Sequence, residues 1–331
     1  MTESRHNKYF KQVNMRFDEQ PNDSERMVSS ADTALKMIGN HALTVQIWPV
    51  ADESEFWKQH SSIQDVLLAA SVHEFYQFYD EQQIRLIFNN GNDSDVIESI
   101  RHLLSNSDLN YAIRQQKSVL VKPRLLVFDM DSTLIQMECI DELARRCGFY
   151  QQVAEITELA MQGKLDFSQS LKQRVALLKD LPLTEVTALA SSLPVTSGVT
   201  DVVAWAKQNN AKIAVVSGGF IPFVEALKSQ LQLDYAFANE LEKSGSHLTG
   251  KLVGDIVDGE QKRNILLSLQ DQLGLTQDEV WAIGDGANDL AMMSSAGLGV
   301  AFDAKPAVKK RASAAIVKPD MSELLKLLNA E

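Results

Sequence analysis

Four short apolar runs set between helical patterns constrain this chain more than any other feature. They are Leu125–Phe128 (LLVF), Ile213–Val216 (IAVV), Val280–Ile283 (VWAI) and Leu298–Ala301 (LGVA), with a shorter run at Ala315–Val317. Such runs are too short for helices and too uniformly apolar for strands with a wet face. They suit parallel strands covered by helices on both sides. Residues 124–331 therefore read as an α/β unit with a parallel sheet. Between Ile140 and Leu193 only helical periodicities occur. That interval is longer than an ordinary crossover, so it reads as a helical cap inserted at about residues 140–195 after the first strand. Glu240–Val257, with glycines at 245, 250 and 254, reads as a projecting hairpin.

The preceding part has a different texture. Residues 1–42 read as polar and irregular, apart from a short helix near Asp32–Ile38. Leu43–Val50 and Ile84–Asn89 read as strands and Ser62–Tyr79 as a helix, and Asp93 or Ser94 caps a helix running through Leu104. Residues 1–105 thus form an expected small α+β domain, and residues 106–123 an expected linker. The chain carries 44 Asp and Glu against 32 Lys and Arg, a net charge of −12. It lacks the electrostatic footprint of a nucleic-acid binder or an anionic-membrane binder, which leaves small molecules as partners. No apolar stretch approaches the roughly 20 residues that span a bilayer, and MTESRHNKYFKQVN has no signal-peptide core. Cys139 and Cys147 make no disulfide framework and no C-x-x-C pair. A reduced, cytoplasmic protein is expected.

The apolar runs are followed by residues suited to chemistry. Asp129 and Asp131 come directly after the first run, in Phe128-Asp129-Met130-Asp131-Ser132-Thr133. Two carboxylates so close, at the edge of an α/β sheet where ligands bind, repel each other unless a cation or proton intervenes. A helix cap would also explain Asp131 and Ser132. A calcium loop would not, because Leu134 and Ile140 stand where it needs Gly and Glu. Val216-Ser217-Gly218-Gly219-Phe220 offers a hydroxyl and open backbone for a phosphate. Gly284-Asp285-Gly286-Ala287-Asn288-Asp289 offers carboxylate and amide oxygens, or an ordinary Asx-turn. Lys262 opens the amphipathic pattern QKRNILLSLQ. Gly245–Lys251 spells G-x-x-x-x-G-K, but Leu252 follows where a nucleotide-binding loop needs Ser or Thr, and the context is a hairpin.

Taken together, Asp129/Asp131, Ser217, Lys262 and Asp285/Asn288 resemble the four motifs of the haloacid dehalogenase superfamily of phosphotransferases, from Arg124 to the C-terminus. FDMDSTLIQMECIDELA, the KQRVALL run, VVSGGF and GDGANDLAM are similar to members that cleave O-phospho-L-serine. The resemblance implies a Rossmann-like core with a helical cap. It also implies Asp129 as nucleophile and Asp131 as acid and base. Mg²⁺ would be held by Asp129, Asp131 (through its main-chain carbonyl) and Asp285, with Asp289 in support. Ser217, Gly218, Lys262 and Asn288 would then surround the phosphate. Glu138 would meet the substrate ammonium, Arg174 its carboxylate, and Met161 and Phe167 the apolar side. Some similar enzymes carry an N-terminal amino-acid-binding regulatory unit, but no motif in residues 1–105 identifies a ligand. Other small phosphate esters, phosphohomoserine among them, stay open as substrates, as does a serine-sensing regulator without turnover.

Overall fold

The computed structural model describes residues 9–14, 42–48, 62, 63, 65, 74–79, 83–89, 94–116 and 121–329. The expected helix at Asp32–Ile38 lies outside them. The chain forms two compact units. One takes Met1–Lys122 together with Asp303–Lys318 and Lys326–Glu331, and the other takes Pro123–Phe302 with Pro319–Leu325.

The first unit is built on strands β1 (Tyr9–Asn14), β2 (Ala42–Trp48), β3 (Glu74–Tyr79) and β4 (Ile84–Asn89), helix α1 (Ser94–Ser105) and strand β5 (Asn110–Gln116). The strands lie in the order β1-β3-β4-β2-β5, all antiparallel, and Ala314–Ile316 continues the order beside β5. Every residue of β2 is buried, so both faces of its alternation are covered. Val96, Ile100 and Leu104 recur every four residues along α1, which gives that helix one buried stripe.

Four expectations for this region are corrected. Glu74–Tyr79 is a strand paired on both sides, not the end of a helix from Ser62. The aromatic-rich EFYQFY suits a pleated surface, and pairing outweighs the helical spacing read upstream of it. Tyr9–Asn14 is a strand in a stretch expected to be irregular. Asn110–Gln116, expected to be connector, is the internal strand β5, with Tyr111, Ala112 and Ile113 buried. Ala314–Ile316 is a strand, as expected, but it pairs antiparallel with β5 and so belongs to this unit.

The second unit contains strand β6 (Leu125–Phe128), then helices α2 (Cys139–Arg146), α3 (Tyr150–Met161), α4 (Phe167–Ala176) and α5 (Leu183–Ala190). These four helices are the cap. Helix α6 (Val199–Gln208), strand β7 (Lys212–Phe220), helix α7 (Ile221–Leu231) and the hairpin β8 (Tyr235–Ser244)–β9 (His247–Val253) follow. Helix α8 (Gly259–Gln272), strand β10 (Val280–Gly284), helix α9 (Leu290–Ser295) and strand β11 (Leu298–Phe302) complete it. The strand order is β11-β10-β6-β7-β8-β9, parallel except for the final hairpin pair. All four apolar runs are strands of this sheet, and β6, β10 and β11 are buried throughout.

The sheet is wound outward in both directions from β6, toward β7 and β8 on one side and toward β10 and β11 on the other. Connections leaving β6 and β10 therefore diverge, and a crevice opens beyond their carboxyl ends. Asp129 and Asp285 are the residues that follow those two ends.

Candidate active site

The loop after β6 turns sharply. Asp129 N still donates to Ile283 O at 2.9 Å, as if the strand continued, while Thr133 N and Ile135 N both fold back to Met130 O. Ser132 sits at φ +55°, a left-handed conformation that costs a side-chain-bearing residue roughly 1–2 kcal/mol. The turn sends the two aspartates different ways. Asp131 Oδ1 accepts the backbone N–H of Cys139 at 2.9 Å, at the start of α2, and Asp131 Oδ2 faces Ser217 Oγ at 3.5 Å.

Asp129 turns into the sheet edge and is 5 % exposed. Lys262 Nζ, on the first turn of α8 and wholly buried, donates to Asp129 Oδ1 at 2.6 Å and to Asp289 Oδ1 at 2.7 Å. Asp289 is also wholly buried, and its second oxygen accepts the Gly286 N–H at 3.0 Å. Asp285 accepts from Thr133 Oγ1 at 3.1 Å. Oxygens of Asp129, Asp285 and Asp289 lie within 4.8 Å of one another.

Three carboxylates beside one ammonium leave an excess of negative charge in a buried place. Burial first, then Asp289, pushes the Asp129 carboxyl well above the usual carboxylate range, although Lys262 pulls the other way. Burial and Asp289 push Asp285 up to about 6. Burial works against the charge on Lys262, but Asp129 and Asp289 outweigh it and its pKa is raised. A hard divalent cation among these oxygens would relieve the excess, so the donor set fits one.

Asp289, expected to support the metal ligands, has a carboxylate oxygen within 4.8 Å of those of Asp129 and Asp285. The Asp131 side chain is occupied with Cys139 and Ser217. Thr133 was not singled out, although it lies inside the D-x-D-x-T motif and orients Asp285.

Ser217, three residues before the end of β7, is wholly buried, and its Oγ accepts the Gly219 N–H at 2.8 Å. Gly218 is closely covered, since a Cβ there would lie 2.8 Å from Phe167 Cζ of the cap. Asn288 stands close to the start of α8, where a Cβ on Gly259 would meet its carbonyl oxygen at 2.8 Å. Met161, by contrast, is 63 % exposed.

Glu138 precedes α2 and accepts from Ser132 Oγ at 2.8 Å. It keeps an open side to solvent. Protein on its other sides, and then the Asp131 charge, push its carboxyl up to about 8. Arg174, in the last turn of α4, has a buried Nε with no hydrogen-bond partner. Burial lowers its pKa, while Asp141, Glu138 and Asp131 act on it electrostatically and oppose that shift. Among the described residues it makes no ion pair. The structure thus brings a partnerless cationic group on the cap within the field of the carboxylates below it.

Comparison with known proteins agrees with this architecture. A family model for haloacid dehalogenase-like hydrolases matches residues 123–297. The phosphoserine phosphatase of Vibrio cholerae serotype O1 is 43% identical over 238 residues, which cover 72% of this chain and 73% of that protein. The crystal structure of a haloacid dehalogenase family hydrolase from Salmonella enterica serovar Typhi superposes with a TM-score of 0.74 at 29% identity, over 88% of this chain and 99% of that one. The structure of a phospho-aspartyl intermediate analogue of phosphoserine phosphatase superposes with a TM-score of 0.59 at 43% identity, over 62% of this chain and 99% of that one. With the motif residues converging at one sheet edge and the family model matching more than half its length, this chain belongs to the haloacid dehalogenase-like hydrolases.

Proposed function

We propose that this chain is a phosphoserine phosphatase. With Mg²⁺ it hydrolyses O-phospho-L-serine to L-serine and phosphate through an aspartyl-phosphate on Asp129, the last step in making serine. The observation that carries the reading is Arg174, whose guanidinium lacks a hydrogen-bond partner at buried Nε and lies within the field of Glu138 and Asp131. A substrate bearing a carboxylate and an ammonium, as well as a phosphate, uses all of these groups. The Vibrio cholerae relative and the phospho-aspartyl structure support the same reaction.

The residues suit the two half-reactions. Lys262 holds Asp129 Oδ1, so Oδ2 is the oxygen turned to attack phosphorus. As the new O–P bond forms, the bond to the seryl oxygen breaks and that oxygen takes a proton from Asp131. Burial raises the Asp131 pKa, which favours the protonated acid this step needs. Water then attacks the aspartyl-phosphate, gives its proton to Asp131 and releases phosphate from Asp129. Lys262 has three donors and spends two on carboxylates, leaving one for a phosphoryl oxygen beside Ser217, the Gly218 N–H and Asn288. Asp129, Asp285 and the Asp131 carbonyl, with Asp289 alongside, would hold Mg²⁺, which would supply positive charge to offset that of the phosphoryl group. Glu138 takes the substrate ammonium and Arg174 grips its carboxylate.

The phosphatase module in this reading is residues 124–331 with the cap at about 140–195. Residues 1–105, together with β5 from the expected connection at 106–123, form the N-terminal α+β domain. The two cysteines are free, among the described residues no helix is long and apolar enough to cross a membrane, and we place the reaction in the cytoplasm.

The test is phosphate release by the full-length protein with Mg²⁺, with and without EDTA. L-phosphoserine is compared with phosphothreonine, phosphohomoserine, a sugar phosphate and pyridoxal phosphate. Metal-dependent preference for phosphoserine is expected. Preference for another ester would replace the substrate, and no turnover of any would replace the enzyme with a regulator. Asp129→Asn should lose acid-stable phosphoenzyme and at least about 10⁴-fold in kcat, as removal of a nucleophile does; full activity would remove Asp129 from its role.

A further inference from the structure

Strands β7 and β8 run in register until Val216 faces Phe237, and the register resumes where Phe220 faces Asn239. Ser217, Gly218 and Gly219 therefore stand against the single residue Ala238. A ladder interrupted in this way leaves backbone groups of the bulged strand without strand partners, and buried backbone groups need partners. Two side chains supply them. Ser217 Oγ accepts the Gly219 N–H at 2.8 Å, and Asn239 Nδ2 donates to the Gly218 carbonyl oxygen at 2.8 Å. The peptide joining Gly218 to Gly219 is held at both of its poles.

Asn239 makes a second bond, in which its Oδ1 accepts the Val257 N–H at 2.8 Å. A backbone N–H can only donate, so this bond fixes which end of the amide is oxygen and turns its NH₂ toward Gly218. Asn239 is 2 % exposed, and water does not compete for either bond. Val257 precedes Asp258, the N-cap of α8, and Asp258 O accepts the Lys262 N–H at 2.8 Å. One buried amide thus ties the Ser217–Gly219 bulge to the segment that sets Lys262.

We propose that Asn239 is a positioning residue for phosphoryl transfer. It fixes the bulge against the start of α8 so that Ser217, the Gly218 N–H and Lys262 converge on one phosphoryl group. The inference rests on the reading above, in which those three groups hold the phosphate. Asn239 touches no reacting atom and acts through Gly218 and Val257. Donors aimed at a transferring phosphoryl group matter most where its charge is redistributed, so small misalignment is felt in the transition state more than in substrate binding.

Two variants of the full-length protein test this. Asn239→Ala removes both bonds. Asn239→Asp keeps an acceptor for Val257 but sets an oxygen against the Gly218 carbonyl. Each is assayed with Mg²⁺ on L-phosphoserine and on p-nitrophenyl phosphate, with orthovanadate inhibition and thermal melting measured alongside. The expected result is a kcat lower by about 10- to 100-fold on both esters, KM within about threefold, and vanadate inhibition weakened in parallel with kcat. A lowered melting temperature with kcat and vanadate inhibition unchanged per folded molecule would overturn the proposal, because that is what a purely structural residue gives. If Asn239→Ala does not fold, Asn239→Asp decides. A wild type that cleaves only the aryl ester removes the phosphoserine reading and leaves the Asn239 test standing on that ester. A wild type inactive on both removes the proposal as well.

Discussion

Asp285 is a carboxyl that folding makes harder to ionise, by burial first and then by Asp289. Its pKa is near 3.8 in the unfolded chain and about 6 when folded, so the native state binds the proton more tightly. Native stability from this group is complete below about pH 4 and is lost as pH rises through 6. In EDTA, wild type should lose up to about 3 kcal/mol relative to Asp285→Asn between pH 4 and 7, measured by urea denaturation. With Mg²⁺ the order at pH 7 should reverse; equal slopes in EDTA would remove Asp285 from the excess of charge. Arg174 gives a second expectation. Arg174→Ala should cost about 10- to 100-fold in kcat/KM on phosphoserine, the range for a hydrogen bond to a charged group. Activity on an aryl phosphate without a carboxylate should be nearly unchanged, and equal losses on both would make Arg174 structural. Asp129, Asp131, Ser217 and Asp285 were legible because each sits within a few residues of an apolar run that had to be a strand, and Lys262 only because it completes the set they form. Thr133 and Asn239 were not, since each acts through a partner distant in sequence, such as Asp285 for Thr133.

Among the elements, the runs at β6, β7, β10 and β11 were readable because a strand buried on both faces must be continuously apolar. β5 has the opposite character, with Asn110, Arg114 and Gln115 in an internal strand, and its pairing comes from β2 and from residues some 200 positions later. β1 and β3 are specified chiefly by each other and by β4. The hairpin β8–β9 was readable from its glycines, but its link to the cap was not. Asp180 N and Leu183 N donate to Leu248 O and Ser246 O, and Leu248 N donates back to Leu181 O, all at 2.9 Å. At Gly250, on the same strand, φ is +79° and a Cβ would lie 3.0 Å from Lys179 Cβ and 3.1 Å from Ala176 O. Gly245 has φ +59° with open space around it. Gly245→Ala should therefore cost about 1 kcal/mol from backbone strain alone. Gly250→Ala should cost at least about 2 kcal/mol, because crowding against the cap adds to the strain. Equal costs in urea denaturation would mean that the cap yields at that contact.

At the scale of the whole molecule, a cut in sequence does not separate the units, because Asp303–Lys318 returns to the first one. A fragment beginning at Pro123 keeps Ala314–Ile316, wholly buried in the full chain, but removes its partner β5. That leaves an apolar strand with one side unpaired, a template for association. The fragment should keep a kcat close to that of the full chain yet self-associate with rising concentration in sedimentation velocity; a monomer at all concentrations would contradict this. The same return of the chain orders events at the ribosome. Domains ordinarily fold as they emerge, N-terminal part first. Here β5 is complete at Gln116, but the strand that lies beside it ends at Ile316, which at about 5–20 residues per second means a wait of roughly 10–40 s. In that interval nearly all of the residues that surround Asp129 have been made. The catalytic unit can therefore fold while the sheet that precedes it in sequence still has an open edge, one that a chaperone or a second nascent chain could occupy.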